Sequence, residues 1–243
     1  MISNPITGAS YVLKALPLLN KPGIRAYVII PLLINTLLFA GLIWFLSGQF
    51  GDLVNQWTPE LPDWLSWLSW LLWLLFGITI LVVLFFSFTI LANLIGAPFN
   101  SYLAAAVEHH LTGSKPASAN INILTEVMNS LSGEMKKIIY FILWAIPLFI
   151  IMFIPVINII SPILWALFGA WMMSIEYADY PMGNRGLSFP QIKTTLRQKS
   201  ILSLGFGGMV MFASLIPVFN FLIMPVAVIG ATIMQVEQFN GTR

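Results

Sequence analysis

Two long runs without charged residues, in the second half of the chain, share one short pattern. The first covers residues 138–175 and contains Ile-Pro-Val-Ile-Asn at 154–158; the second covers 200–236 and contains Ile-Pro-Val-Phe-Asn at 216–220. Proline interrupts a helix because it has no N–H group and its ring clashes with the preceding turn. The residues around each proline are apolar, although turns in water favour Gly, Asp, Asn and Ser. The pattern therefore predicts two helical hairpins whose tips lie inside the membrane or the protein.

The predicted hairpins cover residues 138–177 and 200–238, and the length of their arms bears on how far they enter a membrane. Each arm has roughly 16–18 apolar residues, or about 24–27 Å of helix, whereas a complete span needs about 20 residues. We expect partial penetration; two tilted complete spans joined by a tight turn are the alternative. Backbone at an interior tip needs partners from protein or trapped water, and lipid alone would not tolerate the side-chain amides of Asn158 and Asn220 there.

A first long transmembrane helix is predicted over residues 24–47. The Pro22-Gly23 pair ends the preceding helix, and the apolar sequence begins just after it. Asn35 lies well inside this helix, where a lone amide often just bonds a neighbouring helix. Residues 48–63 are expected to form a loop.

A second, longer transmembrane helix is predicted over residues 64–110. Tryptophan recurs at every third position from Trp64 to Trp73, and tryptophan is enriched where a helix enters the membrane interface. Asn93 lies inside the uncharged sequence that follows, and Pro98 predicts a kink near residues 96–98.

Shorter elements complete the expected fold, an all-α integral membrane protein with a single domain over residues 1–243. An interfacial helix is predicted over 1–21, a surface helix over 123–137, a polar turn over 176–186 and a basic helix over 189–199. The first has an apolar stripe at helical spacing, as interfacial helices do. The stripe consists of Tyr11, Val12, Ala15, Leu16 and Leu19.

Composition supports the membrane class. Of the 243 residues 58% are hydrophobic and 8% charged, whereas a soluble domain has about 25% charged residues. The apolar runs are too long for barrel strands of about ten alternating residues. A net charge of +2 is too small to indicate nucleic-acid binding. The absence of cysteine excludes disulfides and thiolate metal sites, and the N-terminal sequence lacks the compact apolar core of a cleavable signal peptide.

Charge also predicts an orientation. The loop between the two long helices contains no Lys or Arg, whereas ten basic residues fall on the other side if both hairpins return to the side they left. Cytoplasmic loops carry an excess of basic residues. Both termini are therefore expected in the cytoplasm.

One candidate binding site is the turn that contains Gly23, Ile24 and Arg25. A glycine turn before a helix exposes backbone N–H groups at the positive end of the helix dipole, and this favours an oxyanion. The guanidinium of Arg25 offers a planar fork suited to two oxygens. An arginine that merely flanks a membrane helix is the alternative interpretation.

Catalytic and cofactor motifs are missing from the sequence. It has no His-Glu-x-x-His, Gly-x-Ser-x-Gly or nucleotide-binding loop, so we predict neither an enzyme nor a bound cofactor. His109 and His110 are adjacent, and adjacent residues on a helix do not face one metal. Glu108, Glu176 and Asp179 could shuttle protons, but near helix ends an ion pair or a cap is the commoner role.

Several stretches, taken in order, resemble the CysZ family of bacterial sulfate permeases. They lie at residues 22–25, 29–35, 93–100, 176–181 and 185–189, and the twice-used Ile-Pro-Val-x-Asn turn also fits. The resemblance covers nearly the whole chain. Each motif is short, and their order and spacing carry the similarity.

The resemblance implies a multi-pass protein of the bacterial inner membrane that imports sulfate for cysteine biosynthesis without an ATPase. It also implies two long helices with partly penetrating hairpins, assembled as homo-oligomers built on dimers. The family's sulfate-binding motif, Gly-Leu-Arg, corresponds here to Gly23-Ile24-Arg25. Many relatives carry a second basic residue where this chain has Ala26.

The resulting hypothesis is that sulfate is captured at the Gly23 turn and then crosses a polar interior. Neutral amides can donate to a dianion at several weak sites, which favours passage over trapping. The predicted orientation places Arg25 on the cytoplasmic side of an importer, so the turn is a release or regulatory site, or subunits assemble in opposite orientations. The predicted path consists of Asn35, Asn93, Asn158, Asn220, Glu108 and Glu176.

Other functions stay open from the sequence. A membrane scaffold without a pore would use the asparagines only to bond neighbouring helices. A permease for thiosulfate, molybdate or selenate would use the same chemistry, because tetrahedral dianions look alike to amides and arginine. A membrane-embedded enzyme would need a clustered acid, base or metal set.

Overall fold

The computed structural model describes residues 4–57, 62–113 and 123–239, and all regular structure within them is helical. Short 3₁₀ helices lie at Leu16–Leu18, Asp63–Leu68 and Ile157–Ile160. The α-helices are α1 Pro5–Ala15, α2 Arg25–Trp57, α3 Ser69–Thr112, α4 Ile123–Ile151, α5 Ser161–Gly183, α6 Phe189–Gln198, α7 Ser200–Ser214 and α8 Pro217–Gln238.

Three helical segments in the described part of the chain are long and apolar enough to cross a membrane: Arg25–Asp52, Asp63–Ser87 and Ile157–Gly183. The predicted all-α membrane class is therefore confirmed. Two further apolar helices are shorter, at Ser200–Ser214 and Leu222–Gln238. Length alone thus does not decide how deeply the first hairpin enters the bilayer, since its second arm is long enough to cross.

The chain divides into two units. The smaller unit, Ile29–Phe99, contains most of α2 and the first part of α3. Within it the indole N–H of Trp73 donates to the side-chain oxygen of Asn55 at 3.0 Å, and Val54 is fully buried. These contacts explain why α2 extends to Trp57, so the predicted loop over 48–63 is wrong for its first ten residues.

The larger unit, Met1–Val28 with Asn100–Arg243, is built around α7. Helix α1 packs on α7 and α8, and α5 packs on the same pair. Glycines allow these close approaches: a Cβ added to Gly205 would overlap the carbonyl oxygen of Pro5, and one added to Gly207 would overlap that of Ala170. Removal of Cβ atoms lets helix backbones come together, as is common in membrane proteins.

The apolar stripe of the first helix packs against protein. Tyr11, Val12 and Ala15 are 0%, 4% and 0% exposed, because α7 and α8 cover them. The side chain of Leu16 is exposed. The helix itself is shorter than the predicted 1–21, since α1 ends at Ala15 and a 3₁₀ turn follows.

Two other predicted boundaries are wrong. The surface helix over 123–137 and the first arm of the hairpin are one continuous helix, α4. The side chains of α4 change from charged to apolar after Lys137, but this does not interrupt the backbone hydrogen bonds, so the helix continues. Likewise α5 continues through the predicted polar turn to Gly183, because Ile175, Ala178 and Met182 are buried on one face of it.

The repeated Ile-Pro-Val-x-Asn pattern forms two different turns. In the first hairpin nine residues separate α4 from α5, and Val156 has a φ of 72°. In the second only Leu215 and Ile216 separate α7 from α8. Pro217 is the first residue of α8, where its missing N–H costs nothing, and Pro225 lies inside the helix.

Candidate functional site

The turn before α2 is held by backbone hydrogen bonds to one carbonyl. The oxygen of Lys21 accepts from the N–H of Ile24 and from that of Arg25, both at 3.0 Å. Gly23 has a φ of +88°, and no atom lies within 4 Å of an added Cβ. A positive φ is readily adopted only by glycine, so residue 23 is fixed as glycine by conformation.

These hydrogen bonds leave fewer groups of the turn available to bind an anion than the sequence predicts. Two of the three predicted amides, those of Ile24 and Arg25, already donate to Lys21, whereas the N–H of Gly23 has no backbone acceptor in the described part of the chain. The side chain of Ile24 is 1% exposed and anchors the turn in the core. The N–H of Gly23 and the guanidinium of Arg25 are the groups left to contact an anion.

The guanidinium of Arg25 is exposed. No carboxylate lies within 4 Å of it among residues 4–57, 62–113 and 123–239. Two residues further along α2, the ring of Tyr27 lies 6.3 Å from that of Tyr102 on α3. This contact joins the start of α2 to the part of α3 that belongs to the same unit.

A buried lysine connects α4 with α5. The ammonium of Lys137 lies 2.8 Å from Asp179, 3.2 Å from Glu176 and 2.6 Å from Glu134. Lys137 is 5% exposed, and a buried charge needs such partners. We name this group of four residues the Lys137 cluster.

Opposing effects act on the protonation of Lys137. Burial of the ammonium lowers its pKa, but the carboxylates of Asp179 and Glu176 outweigh burial and hold the pKa of Lys137 well above its usual value. The lysine is therefore charged at every physiological pH, and the cluster acts as a permanent ionic link between the helices.

The end of α5 also bonds to α3. The guanidinium of Arg185 donates to Oε1 of Glu108 through Nε at 2.9 Å and also through Nη2. The amide of Asn184 donates to the carbonyl of Ser101 at 2.8 Å, and Tyr180 is hydrogen-bonded to Asn100. Helix α5 thus uses adjacent polar residues to hold α3 on one side and, through the Lys137 cluster, α4 on the other.

The predicted path residues have different surroundings in the structure. Glu108 pairs with Arg185, and Glu176 with Lys137. Asn158 is exposed at the tip of the first hairpin, and the part of α5 between that tip and Glu176 is about 22 Å long at 1.5 Å per residue. Asn35 is partly buried in the smaller unit. The side chains of Asn93 and Asn220 lie outside the described residues.

Sequence reasoning missed the partners of these acids. Lys137 was assigned to a surface helix and Arg185 to a turn, yet both are central to the contacts of α5. For Lys137 the sequence does contain a clue to its partner. Lys137 is the last charged residue before the first uncharged run, and Glu176 is the first charged residue after it. Charges at the two ends of one hairpin are expected to meet, which could have identified the pair.

No group of three or more His, Cys, Asp or Glu side chains that could hold a metal occurs within the described ranges. His109 and His110 are both exposed. One oxygen of Glu108, Oε2, is buried without a hydrogen-bond partner.

Comparison with known proteins gives one consistent result. Residues 11–225 match a family described as "Sulfate transporter CysZ/Etoposide-induced protein 2.4". The chain is 45% identical over 235 residues to the sulfate transporter CysZ of Pseudomonas fluorescens strain Pf0-1, covering 96% of this chain and 94% of that protein. Identity to the protein of the same name from Pseudomonas aeruginosa strain PAO1 is 41%, covering 96% of each.

Proposed function

The chain belongs to the family described as sulfate transporter CysZ/etoposide-induced protein 2.4, and from that premise we propose that it carries sulfate across a bacterial membrane. The observation that carries the proposal is the exposed Arg25, free of carboxylate partners in the described part of the chain, on a glycine turn before a membrane-length helix. The family is one of transporters, and we assign no catalysis to the chain.

Sulfate capture is assigned to the turn of Gly23, Ile24 and Arg25. Arg25 supplies the cation, Gly23 supplies a backbone N–H, and Ile24 anchors the turn through its buried side chain. The α2 dipole adds favourable potential, worth about 0.3–1 kcal/mol at an exposed site. One guanidinium and one amide give weak binding, which suits an ion that must leave again.

For the rest of the path we propose the neutral amides of Asn35, Asn93, Asn158 and Asn220. Amides can donate to sulfate without the strong attraction of paired arginines. Glu108 and Glu176 are assigned a structural role at the open end of the first hairpin, because both are held by buried or partly buried cations. A carboxylate facing the path would repel a dianion.

The finer features of the protein follow from the same proposal. We place it in the inner membrane with both termini in the cytoplasm, supplying sulfur for cysteine biosynthesis without an ATPase. We place both hairpins part of the way across the bilayer; for the second hairpin this is favoured by the 15 residues of α7, which make about 22 Å of helix. Assembly into dimers or larger homo-oligomers completes the path.

The proposal is tested by uptake of labelled sulfate into liposomes that contain the purified protein. Arg25→Ala is expected to reduce uptake at low sulfate at least tenfold, and Arg25→Lys less, because lysine keeps the charge and loses the planar fork. Gly23→Ala is expected to reduce uptake because alanine strains a turn with φ +88°.

Gly41→Ala is the matched control, since Gly41 lies inside α2 with no atom near an added Cβ and without a positive φ. It is expected to leave uptake unchanged. Uptake equal to that of empty liposomes, from protein of normal size-exclusion profile, would instead indicate a scaffold without a pore. Equal inhibition by unlabelled sulfate and thiosulfate would make the substrate a broader class of oxyanion.

A further inference from the structure

The open end of the first hairpin marks a boundary between apolar and charged surface. On α4 the last charged residue is Lys137, and the exposed side chains that follow are apolar: Ile138, Ile139 and Leu143 are 50%, 52% and 65% exposed. On α5 the first charged residue after the uncharged run is Glu176, which is bonded to Lys137. The change from apolar to charged surface therefore occurs at the same level on both helices.

Aromatic side chains of α4, α5 and α6 meet at this level. The ring of Tyr140 lies 6.4 Å from that of Trp144 and 5.8 Å from that of Phe189. The indole N–H of Trp171 donates to the Tyr140 hydroxyl at 3.1 Å. Trp and Tyr are enriched at the depth of lipid headgroups, so the cluster identifies that depth independently of the charges.

One basic side chain contacts this aromatic cluster, and two others lie one helical turn away along α4 and α6. The ammonium of Lys193 lies 4.9 Å from the centre of the Tyr140 ring and 5.7 Å from that of Phe189. Arg197 follows one turn later on the exposed face of α6, and Lys136 precedes Tyr140 by one turn on α4. Residues four apart on a helix are neighbours on its surface, so Lys136 neighbours Tyr140 on α4 and Arg197 neighbours Lys193 on α6.

These cations have no acid to pair with among the described residues. No carboxylate lies within 4 Å of Lys136, Lys193 or Arg197 there. The acids of the neighbouring helix ends, Glu134, Glu176 and Asp179, all point to the buried Lys137 instead. Together with Lys137, these three cations exceed the three acids by one charge, so the surface at headgroup depth has a small positive net charge and three cations without a carboxylate partner within 4 Å in the described part of the chain.

We propose that this surface binds the headgroup of an anionic phospholipid, with Lys193 at its centre and Lys136 and Arg197 beside it. The phosphate accepts from the basic side chains, and the acyl chains lie along the exposed apolar face of α4 that begins at Ile138. Tyr140 and Phe189 fix the ammonium of Lys193 through cation–π contacts, so less side-chain freedom is lost on binding. The site does not depend on which ion the protein carries.

The test measures thermal unfolding of the purified protein in a neutral detergent after addition of phosphatidylglycerol or phosphatidylcholine. Phosphatidylglycerol is expected to raise Tm by several degrees more than phosphatidylcholine. In Lys136→Gln/Lys193→Gln/Arg197→Gln this difference is expected to disappear, and half-maximal stabilisation should need about 100-fold more phosphatidylglycerol, since each basic group near an anionic surface contributes roughly fivefold.

The matched control keeps the charge: Lys136→Arg/Lys193→Arg/Arg197→Lys is expected to respond to phosphatidylglycerol as the unchanged protein does. If the neutral triple variant is unstable, Lys136→Gln/Arg197→Gln replaces it, because both side chains are exposed and neither forms an ion pair within the described ranges. Equal shifts with both lipids, or an undiminished response of the neutral variants, would overturn the proposal. Stabilisation by glycerol phosphate at the same concentration would show a soluble phosphate site and not a lipid site.

Discussion

The ammonium of Lys137 on α4 lies 2.8 Å from the carboxylate of Asp179 on α5. These residues are 42 positions apart, and one apolar hairpin separates them in sequence. Glu176, one turn earlier on α5, reaches the same ammonium. The first hairpin is therefore closed at its charged end by ionic bonds.

Replacement of this lysine by an apolar side chain is expected to destabilise the protein. In Lys137→Met three carboxylates would remain close together without a cation. Loss of one partner of a buried pair costs about 3–5 kcal/mol, and the partial exposure of the acids reduces this to roughly 2–3 kcal/mol. The fall in Tm is measured in detergent without anionic lipid.

Lys136→Met is the neighbouring control for that change. Lys136 is exposed, and surface substitutions usually change stability by less than about 0.5 kcal/mol. Equal losses of Tm in the two variants would contradict the structural role of the Lys137 cluster.

The contact between α1 and α7 depends on a glycine. A Cβ at Gly205 would overlap the backbone of Pro5, so Gly205→Ala is expected to push α1 away from α7. Because this exposes Tyr11, Val12 and Ala15, a loss of about 2–4 kcal/mol is expected. Faster cleavage of the N-terminal segment by protease would report the displacement.

Gly208→Ala, on the same helix, provides the comparison. Its added Cβ would lie 3.8 Å from that of Ala170, an ordinary contact, and alanine favours helix over glycine by about 1 kcal/mol. This variant should be as stable as the unchanged protein or more so. Similar protease sensitivity of both alanine variants would refute the proposed close contact.

The tip of the first hairpin contains a strained residue. Val156 has φ 72° and ψ −47°, an outlier for a β-branched side chain that costs about 1–3 kcal/mol. Val156→Gly removes this strain. Glycine also makes the unfolded chain more flexible, and this cancels about 0.5–1 kcal/mol of the stability gained. Thermal melts should show a variant that is neutral or more stable, by up to about 2 kcal/mol.

Ile159→Gly tests whether that result is specific to residue 156. Ile159 is 75% exposed and lies in the 3₁₀ helix of the same tip without a positive φ. Glycine there relieves no strain and is expected to lower stability. The prediction fails if glycine destabilises position 156 as much as position 159.

The stability of the protein at alkaline pH should depend on the ionisation of Tyr11, the buried tyrosine of α1. Its hydroxyl donates to Glu237 at 3.0 Å and accepts from Gln238 at 2.8 Å, and burial raises the pKa of Tyr11 to about 12. Between pH 10 and 12 the unfolded chain loses this proton before the folded one does. The folded state then binds more protons, so the free energy of unfolding falls as pH rises.

Tyr11→Phe removes this dependence. The variant is expected to be less stable at pH 8, because two hydrogen bonds are lost, and to approach the unchanged protein as pH rises from 10 to 12. Melting temperatures over that range test the sign. Parallel curves would mean that Tyr11 does not retain its proton in the folded state.

Some of the architecture could be read from local chemistry. The uncharged runs identified the membrane helices, and Pro22-Gly23 identified the turn before α2, because a missing N–H and a positive φ are properties of single residues. The breaks predicted at residues 137 and 176 were wrong, since polarity alone does not end a helix. The two Ile-Pro-Val-x-Asn turns differ for the same reason: flanking helices decide what a short motif becomes.

The sequence by itself determined the helical membrane class, the charged ends of the hairpins and the presence of a turn at Pro22-Gly23. Only the tertiary structure decided which charges meet, because partners such as Lys137 and Asp179 or Glu108 and Arg185 are far apart along the chain. It also decided which amides of the Gly23 turn stay free, since Lys21 already accepts from two of them. A hydrophobic pattern is formed by residues close together in sequence, so it is visible in the sequence itself. An ion pair between distant residues forms only where the packed helices bring their ends together.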